Sequence, residues 1–411
     1  MRPAHTGCAN IAIYSIAQIT CHFTNGNTTL TILSCLVGRR GWLQHASLTA
    51  VAAATPVWAQ PGKPTPAARN VVIAQLVDFS ANQQDVSKDF LIGSRAAWQD
   101  INGRGGIRGR QVTHLTVETD GAASSVRAAL LETMKNPACI ALSGSVGDML
   151  ASQIAALSGQ VGLNIAHVAP WLQSSSRQVG DKTFPIFATR QEQISYAMKN
   201  LVTMGTKVLG AVYVSNLEYG AYHLEIERIA AGLQLQLKSY QGTDDLRLLG
   251  QKFTPETPAV LLFLGGTPEL AQFTQGLEKQ ARQRYVVALA DVNLQTLQQM
   301  GAARNTSVIA TQPVPMVNAG IPVVRQYRDT LTRLFDEPPT PHSLAGFIAA
   351  RYTFEVLNGI DGPLTRQTAL SSFQSRASLN VGGFRVSFDA AGRSGAYVTQ
   401  SMMGLDGRLI G

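Results

Sequence analysis

An α/β fold of doubly wound parallel sheets, arranged as two lobes, is predicted by this sequence on three observations. Short apolar runs alternate with helical patterns at the spacing of βαβ units from residue 70 to residue 312. The strand-like runs are apolar at consecutive positions, as in strands covered on both faces. A chain of 411 residues exceeds one ordinary core and divides most naturally in two.

Residues 1–36 mix Thr, Asn and Ser into their apolar positions and give no membrane-spanning stretch of about 20 residues. Arg39-Arg40-Gly41-Trp42-Leu43 then leads into the small apolar run Ala46–Val57 and ends at Val57-Trp58-Ala59. A charged start, an apolar middle and a small-residue end make an export signal. The expectation is cleavage after Ala59, with the natural start codon near Val37. Paired arginines before Trp-Leu resemble a twin-arginine route. Residues 60–69 carry three prolines and read as a linker.

The unit Asn70–Asp120 sets the pattern. Asn70–Val77 is a strand, and Val86, Phe90, Ala97 and Ile101 align on one stripe of a helix near 85–102. Gly103, Gly105, Gly106 and Gly109 end that helix, and a strand follows at 112–118. Further strands are expected at 139–142 and 164–168, with helices near 122–135 and 147–158. A second set begins with a helix near 191–204 and a strand at 207–214, then a helix near 219–232. Strands near 234–238, 259–264, 285–289 and 307–311 and a helix near 268–281 complete it. Helices near 321–335, 343–358 and 366–375 and a closing strand near 396–403 end the chain.

The formal charge is +8, but Arg2, Arg39 and Arg40 precede residue 60, where no acid occurs, leaving 31 basic against 26 acidic residues. That scattered surplus forms no nucleic-acid footprint. Three of the four cysteines lie before residue 60, so an exported chain keeps Cys139 alone, inside the apolar run CIAL. No zinc or iron–sulfur spacing, Walker loop, dinucleotide fingerprint or nucleophile elbow is present. No cofactor and no metal are expected.

Ser143-Gly144-Ser145-Val146-Gly147-Asp148 joins a strand to a helix start, where free amides and the helix dipole stabilise an anion. Asn164–Trp171, reading NIAHVAPW, is the next strand and loop; Glu218-Tyr219-Gly220 follows the strand KVLGAVYVS, and Asp291 follows YVVALA. Together with DINGRGGIRGRQV after the loop bearing Phe79-Ser80, these segments, in this order over residues 70–411, resemble the branched-chain amino-acid-binding family. Those are type I periplasmic solute-binding proteins serving ABC importers.

The resemblance implies three chain crossings between lobes, placed near Thr189, near Gln312-Pro313 and near Gly382. Lobe one would be 70–189 with 313–380, and lobe two 190–312 with 381–411. It implies a ligand carboxylate at Ser145, Val146 and Gly147, with Phe79, Ser80, Ala169 and Trp171 lining the same cleft. Tyr219 would close over the ligand and Asp291 would pair with its ammonium; Asp291 equally suits the N-cap of a helix around 294–300. Trp171 stands where the family has a small hydroxyl residue, and Val86 where some members have a tyrosine, which opens the ligand class to aromatic and other carboxylates. The expected function is therefore an exported, non-enzymatic, ligand-capturing component of an ABC importer, periplasmic, with a small-molecule ligand and an inner-membrane permease as partners. The alternative is a ligand-sensing receptor or regulator of the same fold that transports nothing.

Overall fold

The computed structural model describes residues 70–410 except 175–178, 243–244, 279, 281, 304, 396 and 405–408. The expected export signal and linker lie outside the described residues. A parallel sheet is built first. Its parts in order are β1 (Val71–Asp78), α1 (Gln84–Gly103), β2 (Val112–Thr119), α2 (Ala123–Met134), β3 (Cys139–Ser143), α3 (Asp148–Gln160), β4 (Ala166–Val168) and β5 (Thr183–Phe184). The chain then forms α4 (Arg190–Thr203), β6 (Val208–Tyr213), α5 (Asn216–Gly232), β7 (Gln236–Gln241), α6 (Leu246–Gln251), β8 (Val260–Leu264), α7 (Thr267–Leu277), β9 (Tyr285–Ala288), α8 (Leu294–Gln299) and β10 (Ser307–Gln312). Next come α9 (Pro322–Leu334), α10 (Pro341–Asn358), α11 (Arg366–Gln374), β11 (Leu379–Val381), β12 (Phe384–Val386), β13 (Thr399–Met403) and β14 (Leu409–Ile410).

The first sheet has the order β2-β1-β3-β4-β5, and every pairing is parallel. Strands β7-β6-β8-β9-β10 repeat that order in the second sheet, with β13 and β14 added antiparallel at the β10 edge. In such sheets the strand order reverses beside the first strand, and a crevice opens there at the carboxyl ends. In the first sheet those ends lead into Phe79-Ser80 and Gly144–Gly147. In the second they lead into Ser215–Tyr219 and Gly265–Thr267.

Burial follows the period of two. Ile73 and Val77 join one hydrophobic cluster with α1, α9 and α10, while Val72, Ala74 and Leu76 join another with α2 and α3. The α1 stripe read from the sequence is buried in the first of these. Helices α1 and α10 cross with their backbones touching. A Cβ on Gly93 would lie 1.6 Å from the Ser343 carbonyl oxygen, and one on Gly346 would lie 1.9 Å from that of Phe90.

One expected crossing is corrected. Gly382 is the turn of the β11–β12 hairpin, and its carbonyl accepts from the Val323 amide at 2.9 Å. Val381, Phe384 and Val386 bury in the cluster of α1, α9 and α10, and Phe388 and Tyr397 pack against it. The chain therefore stays on the first sheet's side until it pairs with β10 from Thr399 onward. Alternating apolar residues needed a core here, and the nearer one belongs to the first lobe. Short β5, α6, β11 and β14 have too few residues to show a period. No helix among the described residues is long and apolar enough to cross a membrane.

Candidate functional site

The first sheet's crevice is occupied by its own groups. Val146 donates its amide to Leu76 and accepts from the Asp78 amide, both at 3.0 Å. Ser145 accepts at its carbonyl from the Trp171 amide, and its Oγ lies 3.0 Å from His167 Nε2. Burial pushes the His167 imidazole down to about 3, so the ring is neutral. Gly147 has φ +108°, and a Cβ there would lie 2.7 Å from the Asp78 Cβ. Asp148 opens α3 and accepts the Gln173 and Ser174 amides at 2.8 and 2.9 Å. Two carboxylates, Asp78 and Asp148, thus already face the positive end of α3. Of the Ser145, Val146 and Gly147 amides expected to capture an anion, that of Val146 is spent on Leu76, and Asp78 and Asp148 lie at the same junction.

Trp171 is a second correction. It is 1% exposed and packs on Phe90, Phe187 and His342 with ring centroids 5.4–5.7 Å away. Its ring fills the core and leaves no open face for a ligand to stack on. Ala169 is buried beside it at φ +47° and donates to the Phe184 carbonyl. Phe79 packs partly buried on the same core, and the Ser80 amide is bonded to Asp78 Oδ1 at 2.8 Å.

The second sheet's contribution turns on packing. Ser215 caps α5 by accepting from the Glu218 amide. Glu218 and Tyr222, four apart, both meet the Arg190 guanidinium, and Tyr219 lies about 100° round the helix from Glu218 and about 60° from Tyr222. Tyr219 instead stacks on His223, centroids 4.2 Å apart, and meets Tyr213 edge-on. The expected lid tyrosine thus packs on Tyr213 and His223, and it is the Tyr222 hydroxyl that meets Arg190. Asp291 does not cap a helix: Asn293 caps α8, accepting the Gln295 and Thr296 amides.

Asp291 is released for a different partner, Arg190. The Arg190 guanidinium meets it in a two-pronged pair, Nε to Oδ2 at 2.9 Å and Nη2 to Oδ1 at 2.6 Å. Its Nη1 donates to the Tyr222 hydroxyl at 3.1 Å and lies 3.8 Å from both Asp148 and Glu218. Asp148 comes from the first sheet, Arg190 from the first crossing, and Glu218, Tyr222 and Asp291 from the second sheet. Burial opposes the Arg190 charge, but Asp291, by charge and hydrogen bond, and then Asp148 hold its pKa well above the ordinary value. Burial raises Glu218, Arg190 partly offsets that, and the charges of Asp291, Asp148 and Glu269 raise it further. One guanidinium among three carboxylates leaves a formal excess of negative charge.

Sequence reasoning missed Arg190, Tyr222, Glu218 and Asp148 as a group. A signal for Arg190 existed. Thr189 and Glu192 form a capping box that puts Arg190 at the first position of α4, where the helix dipole disfavours a cation. Among the described residues no group of three or more His, Cys, Asp or Glu is placed to hold a metal.

A family model described as periplasmic binding protein matches residues 70–402. The chain belongs to the periplasmic binding protein family. This periplasmic binding protein has the two-sheet architecture of several solved structures. An extracellular ligand-binding receptor from Verminephrobacter eiseniae superposes with a TM-score of 0.75 at 18% identity, covering 83% of this chain and 100% of that one. A possible leucine/isoleucine/valine-binding protein from Rhodopirellula baltica gives 0.72 at 16%, covering 85% and 98%. An ABC transporter substrate-binding protein from Desulfitobacterium hafniense, in complex with Leu, gives 0.67 at 17%, covering 83% and 99%. At these identities the likeness is one of fold. A search of the curated proteins returns no match. The family is one of binding proteins, not enzymes, and the cluster around Arg190 is accordingly read as binding chemistry.

Proposed function

We propose that the protein is the exported substrate-binding component of an ABC importer, which captures a small carboxylate-bearing solute, an amino acid or close relative, and presents it to a permease. The observation that carries this reading is the Arg190 cluster, because its members come from both sheets and a ligand touching them joins the two. Arg190 presents the planar fork that matches a carboxylate, and Asp291 occupies it. An incoming ligand carboxylate takes the fork, and Asp291 with Glu218 is left to receive the ligand's ammonium. Burying those acids without a cation is costly, so the exchange favours a zwitterion over a simple anion. An aromatic acid gains no stacking partner in Trp171, which favours an aliphatic side chain.

The test is calorimetry against a panel of amino acids, aliphatic acids and aromatic acids, with protein recovered from the periplasmic fraction. An amino acid binds, and Arg190→Lys, which keeps the charge but loses the fork, weakens it at least tenfold, about 1.4 kcal/mol. Equal affinity of wild type and Arg190→Lys removes Arg190 from the site, and no binding by any amino acid removes the ligand class.

A further inference from the structure

We infer that the protein carries a second small-molecule site, at the hinge and apart from the Arg190 cluster, for a small neutral molecule bearing two N–H or O–H donors. A cavity of about 190 Å³ lies where β10 gives way to the second crossing. Its apolar walls are Leu294 at the start of α8, Met316 and Val317 on the crossing, and Pro339 and Pro341 ahead of α10. Gln312 and His342 also line it, and they are 2% and 0% exposed. His342 Nε2 lies 2.8 Å from the Ala290 carbonyl oxygen, so Nε2 carries the proton and Nδ1 is left as an acceptor. Neither that Nδ1 nor Gln312 Oε1 has a hydrogen-bond partner.

Buried acceptors are paired in almost all native proteins, and two unpaired ones on residues that line one cavity call for a partner. The space far exceeds the roughly 10–15 Å³ that a single water needs. No Asp, Glu, Lys or Arg among the described residues lines it, so a charged occupant would lie without an ion-pair partner and a neutral one is favoured. An apolar pocket with a few polar groups is the usual form of a small-molecule site. The walls come from the second sheet's side, from the crossing and from the first sheet's side, so an occupant bridges the lobes beside the hinge.

Propionamide is the probe, and N,N-dimethylpropionamide, which has no N–H, is the control. Propionamide alone should raise the unfolding temperature and show saturation transfer by NMR. Gln312→Leu should weaken the response at least tenfold and leave the probe-free unfolding temperature unchanged or higher, since an unpaired acceptor is removed. Soaked crystals should hold propionamide between Gln312 and His342, which decides the matter even if the variant fails to fold. An equal response to both amides, a response that survives Gln312→Leu, or water alone in the cavity overturns the proposal.

Discussion

Glu218 illustrates how a single side chain joins stability to binding. Burial and its acidic neighbours raise its pKa despite Arg190. As pH climbs from the ordinary glutamate range through the raised native value, the native carboxyl keeps a proton that the unfolded chain has released. The native state therefore binds more protons, and this contribution to stability is lost as pH rises through that window. Glu218→Gln removes it: urea unfolding between pH 4 and 7 should show a smaller decline than wild type, and an equal decline rejects the assignment. Asp291 shows the companion lesson. A helix start nearby made capping a fair reading, but Asn293 lies nearer the first turn and takes that role, which frees the carboxylate for Arg190.

At the level of the helix pair, α1 and α10 are held close by two glycines on facing backbones. Their contact fixes Phe90 of α1, against which Trp171 packs. Gly346→Val forces a side chain into the Phe90 carbonyl, and such overpacking costs about 3 kcal/mol or more when backbone must move. The unfolding temperature should fall by about 4 °C, since an unfolding entropy of about 2.1 cal/mol/K per residue gives roughly 1.4 °C per kcal/mol for a folded part of this size. A fall of under about 2 °C would mean that the helices part without cost. Packing decides the α5 contribution as well: Tyr222 reaches Arg190, while Tyr219 is held by Tyr213 and His223.

Across the whole molecule, the sheets are joined by polar contacts as well as by the chain. Thr267 Oγ1 donates to Asp85 at 2.6 Å, and Asn293 Nδ2 donates to Asp89 at 2.8 Å. Both run from the second sheet's loops to the first turns of α1. Together with Arg190 and Asp148 they favour the arrangement in which the two crevices meet. Asp89→Ala removes one of them. Small-angle scattering of the ligand-free variant should give a larger radius of gyration than wild type, restored by saturating ligand. Identical radii would show that these bonds do not govern closure.

The alternation of apolar runs with helical stripes was sufficient to read the two parallel sheets, since burial on both faces leaves a continuous apolar signature along the chain. The α1 stripe, the glycine turn and the bounds of most long elements were legible for the same local reason. The hairpin around Gly382 was misplaced because its alternation says that it buries a face but not against which lobe. The binding chemistry was less legible still. Asp148, Arg190, Glu218 and Asp291 are far apart in sequence, and each taken alone passes for a cap or a solvated charge. Trp171 and Val146 carry types suited to a cleft, yet one fills the core and the other spends its amide on β1. Local pattern dictates which elements form. Which side chains converge depends on packing, on strand order and on the burial that leaves one arginine among three acids, and those are properties of the assembled chain.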